Sequence, residues 1–201
     1  MKTTSLYLFV FIIYLTGCTK NIETNYKPQL TSCVITSDGF TAYKIPAGNH
    51  FSEGNNYKPV QVEIMKFTAW FDSSAIYQTS SSQNQYDINK LWGFADNDED
   101  HHQYSARFGW RWSDGALRLF AYVYNEGRVT WQELTVIEIG AKIKCAIAVT
   151  ATNYVFIVDE KETLMPRLAN TTLAMGYQLY PYFGGDEVAP HEINVFVRAE
   201  P

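Results

Sequence analysis

The chain is poor in the features that mark metal fingers, redox enzymes and membrane spans. Its 201 residues hold three cysteines, Cys18, Cys33 and Cys145, and no Cys-x-x-Cys, so a zinc or dithiol site of that type has no support. Gly-x-Ser-x-Gly, Gly-x-Gly-x-x-Gly, a phosphate loop and His-Glu-x-x-His are all missing, which leaves the familiar nucleophile-elbow, dinucleotide, phosphate-loop and zinc-peptidase chemistries without a motif. Basic residues are the minority, 16 against 21 acidic, for a formal charge of −5. That balance argues against nucleic acid or an anionic lipid surface as a general partner, so any attraction to anions must be local. No apolar run approaches the roughly 20 residues of a membrane-spanning helix, and no helical period recurs. Aromatic residues are abundant at 15% and β-branched residues are common, a composition that predicts an all-β domain.

The N-terminus reads separately. Lys2, an apolar run from Leu6 to Leu15 and small residues before Cys18 have the order of a secretory signal. Leu15-Thr16-Gly17-Cys18 resembles the bacterial lipobox, which implies removal of residues 1–17, lipidation of Cys18, and attachment to the cell envelope through acyl chains rather than a span. An outer-membrane, periplasmic or surface-facing position all fit. Residues 18–38 are polar, with Pro28 discouraging a helix, and read as a tether. Residues 39–201 read as one β domain, long enough to bury a core. Beyond the inner membrane Cys33 and Cys145 could pair, or Cys145 could be a small core residue in its apolar strand.

The stretch His101 to Tyr124 organises the domain. Asp114-Gly115 suits a type I′ turn, which needs positive φ at both central residues. A two-residue closure pairs Phe108 with Ala121, Trp110 with Leu119 and Trp112 with Leu117 on a core face. Arg107, Arg111, Arg118, Phe120, Tyr122 and Tyr124 fall on the other face, with Arg111 across from Arg118. A second two-residue turn at Glu126-Gly127 places Trp131 opposite Tyr122 and Glu133 opposite Phe120, on that same basic and aromatic face.

Further strands are predicted at Phe40–Ile45, Val60–Phe71, Lys90–Ala95, Val129–Ile139, Lys144–Thr150, Tyr154–Val158, Gly176–Phe183 and His191–Arg198. Their number and spacing predict a sandwich. The aromatic meander, ending in Tyr180-Pro181-Tyr182-Phe183-Gly184-Gly185 and then Ala189-Pro190-His191-Glu192-Ile193-Asn194-Val195-Phe196-Val197, resembles the jelly rolls of the concanavalin A-like lectin/glucanase group. Within it the likeness is to secreted polysaccharide-lyase-like lipoproteins. The resemblance implies two antiparallel sheets, one concave, with a glycan bound on the concave face. The chain departs from the group in lacking the Glu-x-Asp-x-x-Glu run of the glucanases and the Gln-Ile-His signature of alginate-lyase-like proteins.

Aromatic faces stack on sugar C–H faces and arginines hold carboxylates or sulfates. The ligand-binding candidates are therefore Arg107, Arg111, Arg118, Phe120, Tyr122, Tyr124, Trp131 and Glu133. A solvated outer sheet face with no ligand is the plainer reading of the same pattern. For β-elimination on a uronate chain, Arg107 or Arg111 would neutralise the carboxylate, while His102, Tyr122 or Tyr104 would serve as base and acid. An extended backbone would send His101 and His102 to opposite faces, so at most one of them would reach the groove. His50 and His191 carry no assigned role. Asp96, Asp98 and Asp100 alternate like the start of a calcium loop, although a solvated acidic turn has the same sequence. Two functions compete. One is a lipid-anchored domain that binds an anionic polysaccharide and extends to cleaving it; the other is a structural or assembly lipoprotein whose aromatic face docks a partner protein.

Overall fold

The computed structural model describes residues 34–201; the signal segment, Cys18 and Cys33 lie outside them. The strands are β1 (Val34–Ile35), β2 (Thr41–Ile45), β3 (Pro59–Val62), β4 (Ile64–Phe71), β5 (Asn89–Ala95), β6 (Ser105–Ser113), β7 (Ala116–Asn125), β8 (Arg128–Ile137), β9 (Ile143–Val149), β10 (Asn153–Val158), β11 (Lys161–Pro166), β12 (Ala174–Leu179) and β13 (Ile193–Glu200). They form a seven-stranded sheet, β1-β2-β13-β4-β9-β10-β11, and a six-stranded sheet, β3-β12-β5-β6-β7-β8, antiparallel throughout the paired strands. This is the all-β jelly-roll sandwich expected from the sequence.

The central hairpin has the expected register from Ser105–Tyr124 to Ser113–Ala116, because Asp114 and Gly115 adopt φ of 54° and 71°, the type I′ requirement. Glu126 and Gly127 close the next hairpin the same way, with φ of 50° and 75°. Trp131 opposes Tyr122 and Glu133 opposes Phe120 as expected, and a bulge beyond Phe120 then shifts the remaining pairs. Phe108 and Trp110 enter the core, whereas Trp112 is half-buried at its margin. Phe108 reaches across the sandwich to Phe67 of β4 and Phe156 of β10, with ring centres 5.4 and 5.1 Å away. Each such buried ring contributes about 1.5–3 kcal/mol of transfer free energy, so these contacts fix one sheet upon the other.

Several sequence expectations need correcting. Val60–Phe71 is two strands in different sheets, split at Glu63, so the chain crosses the sandwich there. Val34–Ile35 pairs with β2, so the sheet starts inside the stretch read as tether. Lys161–Pro166 adds an edge strand, β11, absent from the predicted set, after a turn where Asp159 and Glu160 take positive φ. Cys145 is a free buried thiol, held well above the usual thiol pKa by burial, and packs in the core.

Asp96 is the largest correction. Its side chain is fully buried and ion-paired with Arg167 at 2.8 Å. It also accepts from Tyr154 Oη at 2.6 Å and from the backbone N–H groups of Asn97 and Met175. Arg167 spends its other donors on Thr150, Thr171 and Leu173. The cluster staples the segment after β11 to both sheets, with every oxygen of the carboxylate occupied. Asp96 therefore cannot share a cation with Asp98 and Asp100. The alternation of β5, with Phe94 inward, continues one step past the strand and carries Asp96 into the interior.

Candidate functional site

The outer face of the six-stranded sheet holds a cleft of about 530 Å³ over β5, β6, β7 and β12. Its floor is built by register. Arg107 pairs with Tyr122 across β6 and β7 and with Gly93 across β5, which places them side by side on the outward face. A Cβ on Gly93 would stand 2.1 Å from the Ala106 carbonyl, so only glycine permits this close strand approach.

Lys90 reaches the same floor through a bulge. Lys90 opposes Gly109 while Trp92 opposes Phe108, leaving Leu91 as the extra residue. Simple alternation would send Lys90 inward with Trp92 and Phe94; the bulge turns it outward while Leu91 and Trp92 both enter the core. The wall opposite is the end of β12 and the segment after it, where Gln178, Tyr180 and Tyr182 line the cleft and Tyr182 bridges Lys90 backbone to backbone. Gly184 packs so closely there that a Cβ would lie 2.3 Å from the Ile88 carbonyl and 2.9 Å from Lys90 Nζ.

The electrostatics of this floor are unusual. Lys90 is 9% exposed and Arg107 7%, and among the described residues neither forms an ion pair with a carboxylate. Lys90 Nζ donates to the Ile88 carbonyl and lies 4.2 Å from the Tyr122 ring centre; the Arg107 guanidinium lies 5.7 Å from the same centre. Arg107 Nε has no hydrogen-bond partner among the described residues. Burial, and secondarily Arg107, push the Lys90 ammonium down to about 7. Burial also lowers Arg107 and raises the Tyr122 phenol. None of the residues lining the cleft is acidic. Buried cations without counter-ions are costly, and the space above them fits an anion.

His101 and His102 both line the cleft, contrary to the expectation of one. Residues 101–103 turn rather than extend, with the N–H groups of Gln103 and Tyr104 donating to the Asp100 carbonyl, so strand alternation does not apply; the rings lie 4.1 Å apart. Burial first, then Arg107 and His102, push His101 down to about 4, leaving it neutral at ordinary pH, with Nδ1 2.9 Å from Tyr177 Oη. Asp100, His101 and His102 bring one ligand atom each within 4.8 Å of one another. One carboxylate and two imidazoles could hold a transition ion but do not resemble the all-oxygen shell of calcium, and exposed Asp98 stands outside the group. The residues present thus do not fit the calcium loop read from the sequence.

Of the other sequence candidates, Tyr122, Tyr124 and Arg107 line the cleft. Trp131, 52% exposed, lines an adjoining recess of about 220 Å³ that shares Lys90, Tyr122 and Gly185 with it. The remainder sit on the same sheet face outside the cleft. Arg111 donates to the Tyr86 carbonyl at 2.8 Å and covers the Phe120 ring at 4.7 Å. Phe120 is fully buried and cannot be a sugar platform. Arg118 is neutralised by Glu133 at 2.8 Å and approached by Asp114. Tyr104 precedes β6 and is not among the cleft-lining residues. His50 packs against the Tyr182 ring, 5.3 Å away and nearly parallel, and His191 contacts the Ser74 carbonyl. Sequence reasoning missed Lys90, Gln178, Tyr180 and Tyr182 as site residues.

No protein-family model and no curated protein matches this chain. Solved structures do. The alginate lyase AlyC3 superposes with a TM-score of 0.59 at 10% identity, over 85% of this chain and 77% of that one. The laminarinase catalytic domain from Thermotoga maritima gives 0.54 at 9% identity, over 84% and 80%. The PL7 alginate lyase AlyA1 from Zobellia galactanivorans gives 0.54 at 10%, over 81% and 76%. At these identities the likeness is one of fold, the two-sheet antiparallel jelly roll that this chain shares with these proteins.

Proposed function

We propose that this protein binds an anionic polysaccharide in the cleft over β5, β6 and β7, and that the chain is held at the bacterial cell envelope by a lipidated Cys18. The observation that carries the first part is the pair of buried, carboxylate-free cations, Lys90 and Arg107, on a floor walled by tyrosines. A uronate carboxylate or a sulfate would supply the missing counter-charge, and Tyr182 and exposed Trp131 would offer faces for the sugar rings. Structural likeness to enzymes named as alginate lyases and a laminarinase supports a polysaccharide ligand, and the charge of the floor favours the acidic over the neutral kind. Cleavage by β-elimination is the chemistry such a floor suits, since it needs the carboxylate neutralised before the adjacent proton can leave.

Retention on an array of uronate, sulfated and neutral glycans tests this reading. Uronate or sulfated chains should be retained, with affinity falling as salt rises. Equal retention of neutral glucans, or no retention at all, would overturn it.

A further inference from the structure

We infer that Lys90 is the proton acceptor and return donor for β-elimination on a uronate chain in this cleft, with Arg107 as the fixed charge that holds the carboxylate. This rests on the anionic-polysaccharide reading above and goes beyond it, because it assigns the reaction's proton to one atom, Lys90 Nζ.

The two cations differ in what they can do. A guanidinium keeps its proton at any working pH, whereas a buried amine gives its proton up readily. Arg107 therefore suits permanent neutralisation. Lys90 sits beside it on the floor, both cations facing one Tyr122 ring at 4.2 and 5.7 Å, so a carboxylate seated on Arg107 brings the carbon next to it toward Nζ. One N–H of Lys90 is committed to the Ile88 carbonyl, which orients the amine and leaves its lone pair free. The groups facing it are Arg107 from β6, Tyr122 from β7, Asp87 ahead of β5 and Tyr182 after β12. The burial that brings Lys90 down to about 7 populates the free amine near neutrality, where a base is most useful.

The rival bases fare worse. Tyr122 is raised by burial and keeps its proton. Tyr104 lies off the cleft. His101 Nδ1 is engaged by Tyr177 Oη, and His102 is exposed at the rim beside Asp100, 3.3 Å away.

The step balances within the site. The Lys90 lone pair takes the proton α to the carboxylate. The C–H electron pair becomes the new C=C bond, and the C–O bond to the β glycosidic oxygen breaks, that oxygen keeping its electrons. The Lys90 ammonium then protonates the departing oxygen, which regenerates the amine. No oxidant, reductant or water is consumed.

The test compares full-length wild-type protein with Lys90→Arg on uronate polymers, measuring binding by affinity electrophoresis and cleavage by ultraviolet absorbance of unsaturated ends. Lys90→Arg retains the charge but not the titratable amine, so it should bind within a few-fold of wild type and cleave on the order of 100-fold or more slowly. Independently of any variant, labelling of Lys90 in the wild-type protein by an amine-reactive reagent, read by mass spectrometry, should rise through a midpoint of about 7. Near-wild-type cleavage by Lys90→Arg, or a labelling midpoint above about 9, where an ordinary lysine begins to titrate, would overturn the assignment. Wild-type protein that binds uronates but yields no unsaturated ends would refute the role of Lys90 and leave the binding reading standing; absence of uronate binding would refute that reading itself.

Discussion

Replacing Lys90 by Met should stabilise the protein at low and neutral pH and lose that effect in alkali. Methionine fills a similar volume and removes an ammonium that the fold desolvates with no carboxylate in ion-pair contact, Asp87 offsetting only part of the cost. The sign follows from linkage. The folded-state pKa is about 7 against an ordinary 10.5, so between those values the unfolded chain binds the proton and the folded chain does not. Stability of the wild type must therefore rise with pH across that window, and below it the full penalty of burying the charge is present. At about 1.4 kcal/mol per pH unit the penalty is on the order of 5 kcal/mol, and water entering the open cleft relieves part of it. A gain of about 2–4 kcal/mol for Lys90→Met near pH 6 is expected, shrinking to within about 0.5 kcal/mol near pH 10.5. Urea denaturation of both proteins at a series of pH values measures it directly. An equal gain at both ends of the range, or a loss at low pH, would refute the claim that Lys90 is an uncompensated buried charge.

The other predictions are simpler. Arg107→Met should abolish retention of uronate chains while leaving stability unchanged or raised by about 1–2 kcal/mol, since an orphaned buried N–H disappears with the guanidinium; thermal melts alongside glycan retention separate the two effects. Asp96→Ala should cost about 3–5 kcal/mol in chemical denaturation, because it strands the buried Arg167 charge. Trp131→Ala should weaken glycan binding by about 0.5–1.5 kcal/mol, roughly twofold to thirteenfold, with stability within about 0.5 kcal/mol of wild type. Cys18→Ser should release the protein from membranes into the soluble fraction on cell fractionation, and a protein that stays with the membrane would count against the lipid anchor.

The parts of this architecture governed by local rules were legible in the sequence. Asp114-Gly115 and Glu126-Gly127 are turn chemistries with one outcome each, so the pairings from Arg107–Tyr122 to Tyr122–Trp131 follow from arithmetic. What local rules cannot carry is the join between distant segments. Tyr182 reaches Lys90 by a bridge between residues far apart in the chain, and no periodicity within either segment announces it. The Leu91 bulge inverts the face of Lys90, although one signal was available: a lysine in phase with Trp92 and Phe94 is either buried or displaced by a bulge. Asp96 was hidden the other way, because an exposed acidic run follows it without a break. A count of arginines on one face says nothing of their partners: Arg118 is met by Asp114 and Glu133 and Arg111 by Ser113 and the distant Tyr86 carbonyl, whereas Arg107 has no such acceptor at Nε.

That last distinction separates the charges that build the fold from those the fold burdens itself with. Asp96 and Arg167 are more deeply buried than Lys90 and Arg107, yet each charge is met by its opposite and by hydrogen bonds from Tyr154, Asn97 and Met175 or to Thr150, Thr171 and Leu173; a third molecule has nothing to add there. Lys90 and Arg107 are buried to a similar class with one backbone carbonyl and one aromatic face between them. Protein interiors retain such uncompensated charge where a ligand completes it. On the proposed reading, the stabilisation expected of Lys90→Met would mark the site by its sign, and the ligand completing it would be an anionic, ring-bearing chain seated among the residues of the cleft and its adjoining recess.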